Sequence, residues 1–129
     1  MTQSRCVDII VPTYQEVQNI PRLLECLGSV RSSSGLDLRV LFMDDDSRDG
    51  SHELVLSLGL PWVKLVTREA DRGLSAAVLD GIARARCDLV IVMDADLSHP
   101  PEKIPDCGAG CRRRYRRGLA LYRRRFHGR

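Results

Sequence analysis

The chain has 129 residues, 43% of them hydrophobic and only 5% aromatic, which is enough for one domain with a largely aliphatic core. No apolar run approaches the roughly 18 to 20 residues that span a bilayer, and the opening MTQSRCVD has no apolar centre of a secretory signal. These features exclude a membrane-spanning or exported class and lead us to expect a cytoplasmic protein. The net charge of +3 hides a split: residues 1–105 carry 11 Lys and Arg against 16 Asp and Glu, whereas residues 106–129 carry 9 Arg against one Asp. The five cysteines have no zinc-ligand spacing among Cys6, Cys26 and Cys87, and they read as free thiols.

In chain order, Val7 to Val11 reads as a first strand, which Pro12 should end because it cannot donate to a ladder. After a loop to Gln18, Asn19 reads as a helix N-cap, with Pro21 in the first turn. Ile20, Leu23, Leu24 and Leu27 recur at helical spacing, and Gly28 is the expected stop. Ser32 to Gly35 reads as a surface turn and Leu38 to Met43 as a second strand, ending at Asp44, Asp45 and Asp46. Ser51 is the expected cap of a short helix with Leu54, Val55 and Leu58 on its apolar side, and Asp49 with Gly50 reads as turn chemistry. Trp62 to Thr67 is the third strand. A helix face follows, made of Leu74, Ala77, Val78, Gly81, Ile82 and Ala85.

The fourth strand, Leu89 to Met93, is an unbroken apolar run that stops at Asp94, Ala95 and Asp96. The alternation of strands and helices predicts an α/β fold, a Rossmann-like parallel sheet with helices on both faces. All strands then point one way, so the acidic clusters gather at the carboxyl edge, where such sheets bind ligands. Two carboxylates one residue apart call for a cation between them, and a divalent metal carrying phosphate oxygens is the simplest partner. Neither a glycine-rich dinucleotide turn nor a P-loop is present, so a metal rather than a backbone cradle would hold the phosphate. A phosphoryl-receiver module would need an acidic pair after the first strand, where this chain has Pro12 and Thr13.

The segments VPTYQEVQNIPRLLECL, VLFMDDDSRDGS and GLSAAVLDGIARARCDLVIVMDADLSHPPEKIP resemble the nucleotide-binding half of family 2 glycosyltransferases of the GT-A fold. Within that family they are most similar to the polyprenol-phosphate (dolichol-phosphate) mannosyltransferases, over about residues 7–105. The resemblance implies transfer of mannose from GDP-mannose to a polyprenyl phosphate, with inversion and with Mg2+ or Mn2+. It implies that Pro12, Tyr14 and Glu16 line the base and ribose pocket, with Tyr14 a wall and Glu16 an acceptor. Asp44 and the backbone at Phe42 would contact the base, with Asp45 beside them. Asp94 and Asp96 would be the catalytic pair, Asp94 at the sugar or ribose, Ala95 against the nucleotide, and Asp96 and Ser98 on the metal. Family members commonly have Gly or Asn where this chain has Asp46. Arg72 and Gly73 would help position the diphosphate or belong to a solvated loop, and His99 reads as an ordinary loop side chain.

The implied partners are the nucleotide sugar, the polyprenyl phosphate acceptor of a complete enzyme and, by peripheral contact, a membrane; nucleic acid is not expected. The family continues past PEKIP with an acceptor half, whereas here the sequence turns into DCGAGCRRRYRRGLALYRRRFHGR, which has neither strand alternation nor a helical stripe. We therefore expect 1–105 to be an incomplete donor-binding part, and 106–129 to be a disordered or out-of-frame basic tail after a truncation or frameshift near Pro105. We also expect the chain alone to lack transferase activity. The alternatives are a non-catalytic nucleotide-sugar-binding remnant, or a basic arm for anionic lipid or nucleic acid with Tyr115, Tyr122 and Phe126 interleaved.

Overall fold

A computed structural model describes residues 6–105 and the strand at Ala120–Arg123. The elements are β1 (Cys6–Thr13), α1 (Ile20–Ser34), β2 (Asp37–Asp44), α2 (Ser51–Leu58), β3 (Val63–Thr67), α3 (Leu74–Arg84), β4 (Leu89–Val92), a single 3-10 turn at Pro101–Lys103, and β5 (Ala120–Arg123). The sheet order is β3-β2-β1-β4-β5, with the first four strands parallel and β5 antiparallel to β4. The expected Rossmann-like α/β architecture is therefore present.

Strand alternation splits the core in two. Val7, Ile9, Val11, Leu38, Val40 and Phe42 face α1 and α2 on one side of the sheet. Ile10, Met43 and Val90 face α3 on the other, against Ala77. That second layer is thin: a Cβ on Gly81 would stand 2.5 Å from Ile10 Cγ2. Because α1 and α2 lead outward from β1 to β3 and α3 leads back across to β4, the connections diverge between β1 and β4. The crevice at their carboxyl ends is the topological switch point.

Several boundaries differ from the sequence reading. Pro12 does not end β1 but pairs in register with Met43. The Thr13 carbonyl accepts from Asp45 N on the β2 side and the Ile10 carbonyl from Met93 N on the β4 side. Backbone groups alternate sides, so the N–H that proline lacks points towards β4, where pairing has already stopped at Ile10. Gly28 lies inside α1, which runs on to Gly35 at φ 68; a glycine costs a helix interior only about 1 kcal/mol, and a built Cβ there would meet Trp62 at an ordinary contact distance of 3.8 Å. Leu74, expected on the buried face of α3, is 67% exposed, because the first turn stands at the carboxyl edge past the last strand side chains.

Cys6 and Cys87, expected as free thiols, form a disulfide with Cα atoms 5.4 Å apart, where β1 and the approach to β4 lie side by side. The Arg-rich end, with Cys107 and Cys111, lies outside the described residues except for Ala120–Arg123. A strand there was not expected; β5 needs only backbone groups to pair with the outer side of β4, so four residues suffice without an apolar alternation. Among the described residues no helix is long and apolar enough to cross a membrane.

Candidate active site

Two loops at the carboxyl edge are stitched together by side chains that carry the β1–β2 pairing past the strand ends. Asp44, 3% exposed, accepts from Thr13 Oγ1 at 3.0 Å, from Ser47 N at 2.9 Å and from Ser47 Oγ at 2.5 Å. Ser47 Oγ in turn accepts Gln15 N at 2.7 Å. Asp49 Oδ2 accepts Val17 N at 3.2 Å, while its other oxygen receives Ser51 N and Oγ at the start of α2. Burial works against the charge of Asp49, but the bonds from Ser51 and Val17 outweigh it and hold the carboxyl below its ordinary range. Asp49, rather than Ser51, thus serves the α2 terminus. Asn19 likewise makes no side-chain cap; its amide donates to Glu16 Oε2 at 2.5 Å.

Asp45 is engaged differently. Its Oδ1 receives Arg68 Nη1 at 2.5 Å and its Oδ2 receives Gly73 N at 2.8 Å, just ahead of α3. Arg68 is 7% exposed and also donates to Asp80 Oδ2 at 3.2 Å and to the Asp71 carbonyl at 3.0 Å. Burial disfavours the guanidinium charge, and the bonds to Asp45 and Asp80 more than restore it. Asp46, at φ 57, receives both Arg48 and Arg72 on one oxygen, each at 3.2 Å. The only sequence signal of Arg68 is its place between two acidic clusters, which does not disclose burial.

The residues expected at the base pocket come together at the ends of β1 and β2. Pro12 is half-buried, Tyr14 is 57% exposed, and Glu16 is half-buried beside Asn19. The Phe42 side chain is fully buried, so only its backbone faces the edge. At the end of β4, Asp94, Asp96 and Ser98 are exposed, whereas Ala95 and His99 are buried, at 2% and 6%. The Ala95 methyl therefore belongs to the core layer. Asp96 Oδ1 accepts Ser98 N at 3.0 Å and Ser98 Oγ at 2.6 Å, with the intervening Leu97 at φ 61. The Ser98 hydroxyl, followed by its N–H, holds the Asp96 carboxyl below its ordinary range.

This donor set is all oxygen, which suits a hard divalent cation such as Mg2+ or Mn2+. Among the described residues no three His, Cys, Asp or Glu side chains converge into a closed cage. A cation held by Asp96 and Ser98 would complete its shell with water or ligand oxygens, as Mg2+ does on phosphates.

Comparison with known proteins agrees with this layout. The family model for glycosyl transferase family 2 matches residues 8–109. The dolichol-phosphate mannosyltransferase of Pyrococcus furiosus is 40% identical over 100 residues, 77% of this chain and 28% of the relative. That of Mycosarcoma maydis is 41% identical over 103 residues, 75% of this chain and 35% of the relative. The chain thus spans about a third of the length of these curated relatives. A mannosyltransferase from Pyrobaculum calidifontis, solved with GDP-Man and Mn2+, shares the fold at TM-score 0.76 and 22% identity over 95% of this chain and 46% of its own. S. aureus TarS, solved with UDP-GlcNAc, shares it at TM-score 0.67 and 24% identity over 80% of this chain and 30% of its own. The parallel sheet, the acidic turn at its switch point and the family match over most of its length establish that this chain belongs to glycosyl transferase family 2.

Proposed function

We propose that residues 1–105 are the donor-binding part of a polyprenyl-phosphate glycosyltransferase that takes mannose from GDP-mannose with Mg2+ or Mn2+ and inverts the anomeric centre. The observation that carries this reading is the exposed Asp94–Ser98 turn, with two carboxylates facing outward at the β1/β4 switch point. Support comes from the dolichol-phosphate mannosyltransferase relatives and from the shared fold of a protein solved with GDP-Man and Mn2+.

In this reading Tyr14 is the wall of the base pocket, and Pro12, Glu16 and the Phe42 backbone are its rim. Asp44 spends three acceptor positions on Thr13 and Ser47; a carboxylate has about four, so one is left for a base N–H. Asp45 holds the Arg68–Gly73 loop beside it. Asp96 and Ser98 hold the cation, and Asp94 faces the ribose or sugar. The bound cation supplies charge neutralisation of the diphosphate as the donor bond breaks. The acceptor phosphate oxygen is already an anion at neutral pH, so no general base is assigned.

The acceptor site is assigned to the part of the relatives that this chain does not match, and the 129 residues alone are expected to bind donor without turnover. The basic residues of 106–129 are suited by charge to peripheral contact with an anionic membrane at its cytoplasmic face, with Ala120–Arg123 paired onto the edge of the donor-binding sheet. A second reading, a nucleotide-sugar-binding protein without catalysis, rests on the same exposed Asp94–Ser98 turn and needs no acceptor site. Titration calorimetry with GDP and Mn2+ tests the first point: binding that Asp96→Asn abolishes supports it, and no binding by wild type refutes it. Mannosyl transfer to a polyprenyl phosphate separates the readings, since turnover would overturn the expectation of donor binding alone.

A further inference from the structure

Of the two histidines among the described residues, His52 is exposed and His99 is 6% exposed. His99 Nδ1 lies 3.5 Å from the Asp94 N–H, which donates to it. The Nδ1 lone pair is the acceptor of that bond. The bond falls just past the last described strand pairing. Met93 N still donates to the Ile10 carbonyl, and backbone direction alternates, so Asp94 N points to the opposite side, beyond the last β4–β5 pair at Val92.

His99 Nδ1 thus takes the Asp94 N–H beyond the last described β4–β5 pair. Burial of Ala95 and His99 pins the two ends of a turn whose outward members are Asp96 and Ser98, with Leu97 held left-handed between them. The Asp96–Ser98 bonds brace the inner part of that turn, and the Asp94–His99 bond closes it.

We infer that His99 is a positioning residue: its buried ring, accepting the Asp94 N–H at Nδ1, fixes the turn that presents Asp94 and Asp96 together, and so sets the affinity for a divalent cation with a nucleoside diphosphate. This rests on the donor-binding reading above and adds a specific support to it. The groups that hold metal ligands in place typically change affinity by about 10–100-fold when removed. An asparagine side chain places an acceptor at the δ position, a glutamine one atom further out, and leucine none.

The test measures Mn2+ binding by electron paramagnetic resonance in the presence of GDP for wild type, His99→Asn, His99→Gln and His99→Leu, with thermal melts alongside. Wild-type affinity in His99→Asn with a loss of about 10–100-fold in the other two supports the inference. Equal losses in all three, or no loss in any, overturn it. If His99→Leu fails to fold, the Asn against Gln comparison decides. Failure of wild type to bind Mn2+ and GDP refutes the donor-binding reading and the affinity claim with it. The positioning claim is then judged on the ligand-free protein by hydrogen exchange of the Asp94 amide: faster exchange in His99→Leu than in His99→Asn supports it, and equal exchange in the two overturns it.

Discussion

Replacing Asp44 by Ala removes the acceptor on which both carboxyl-edge loops converge. Three donors lose their partner: the Thr13 hydroxyl, the Ser47 hydroxyl and the Ser47 amide. A hydrogen bond to a charged group contributes about 1.5–3 kcal/mol, and a buried donor left unmade costs a comparable amount. The hydroxyls can rotate to other acceptors, but the Ser47 amide cannot. Counting the amide at about 2 kcal/mol and the two hydroxyls together at about 1 kcal/mol gives a loss of about 3 kcal/mol. At about 4–8 °C per kcal/mol for a domain of roughly 100 residues, the melting midpoint falls by about 12–24 °C. Guanidinium unfolding followed by circular dichroism measures the loss directly. Thr13→Val, which deletes one hydroxyl donor, should cost about 1 kcal/mol. Ser47→Ala should cost more than Thr13→Val, because Ser47 Oγ both donates to Asp44 and accepts Gln15 N. An Asp44→Ala protein within about 1 kcal/mol of wild type, or one less affected than Thr13→Val, would refute the reasoning.

Gly81→Ala sets two effects against each other: helix propensity gains about 1 kcal/mol, and overpacking against Ile10 and Met43 costs about 1–3 kcal/mol. Calorimetry should show a net destabilisation, and a stabilised variant would mean that the α3 layer relaxes freely. Arg68→Met leaves Asp45 without its guanidinium while Asp80 keeps Arg84 and partial solvent, so a loss of about 2–3 kcal/mol by urea titration is expected, below the range for a fully buried pair. An unchanged midpoint would show the Arg68 cluster to be neutral. The Asp80 carboxyl is held below its ordinary range first by the bond from Arg84, against burial, and then by Arg68. Its stabilising contribution is therefore fully present above the ordinary carboxyl pKa of about 3.9 and is lost as pH falls through the lower folded-state value. Thermal melts of wild type and Asp80→Asn should differ most near neutrality and converge in acid; a constant gap would contradict the assignment.

The parallel strands and their order of appearance were legible because buried strands read as apolar runs, and because Asp94 and Asp96 stop β4 abruptly. The errors share a cause: they sit where a local rule was settled by a distant partner. Pro12 extends β1 because the neighbour on its β4 side has already ended, and α1 runs through Gly28 because Leu24, Leu27 and Val30 on either side of it are buried in the core. In the site, the clustering of Asp94, Asp96 and Ser98 followed from their adjacency in sequence. The engagement of Asp45 by Arg68, and the burial of His99, depend on contacts across the fold that no spacing in the chain records.

Asp8 shows how such distant contacts bear on assembly. Its carboxylate, 5% exposed in β1, accepts Arg86 N at 2.6 Å and Cys87 N at 2.7 Å, with Arg39 at 3.9 Å. Those amides arrive only after three helices and two further strands have been made, so a chain halted before Arg86 holds a central strand with a buried anion and neither amide to satisfy it. Partial sheets built from β1 to β3 are correspondingly poor resting states, and the high sequence separation of the β1–β4 pairing makes it a slow one to close. The domain should fold and unfold as a single cooperative unit, in which the Asp8 bonds to Arg86 N and Cys87 N tie β1 to the approach of β4.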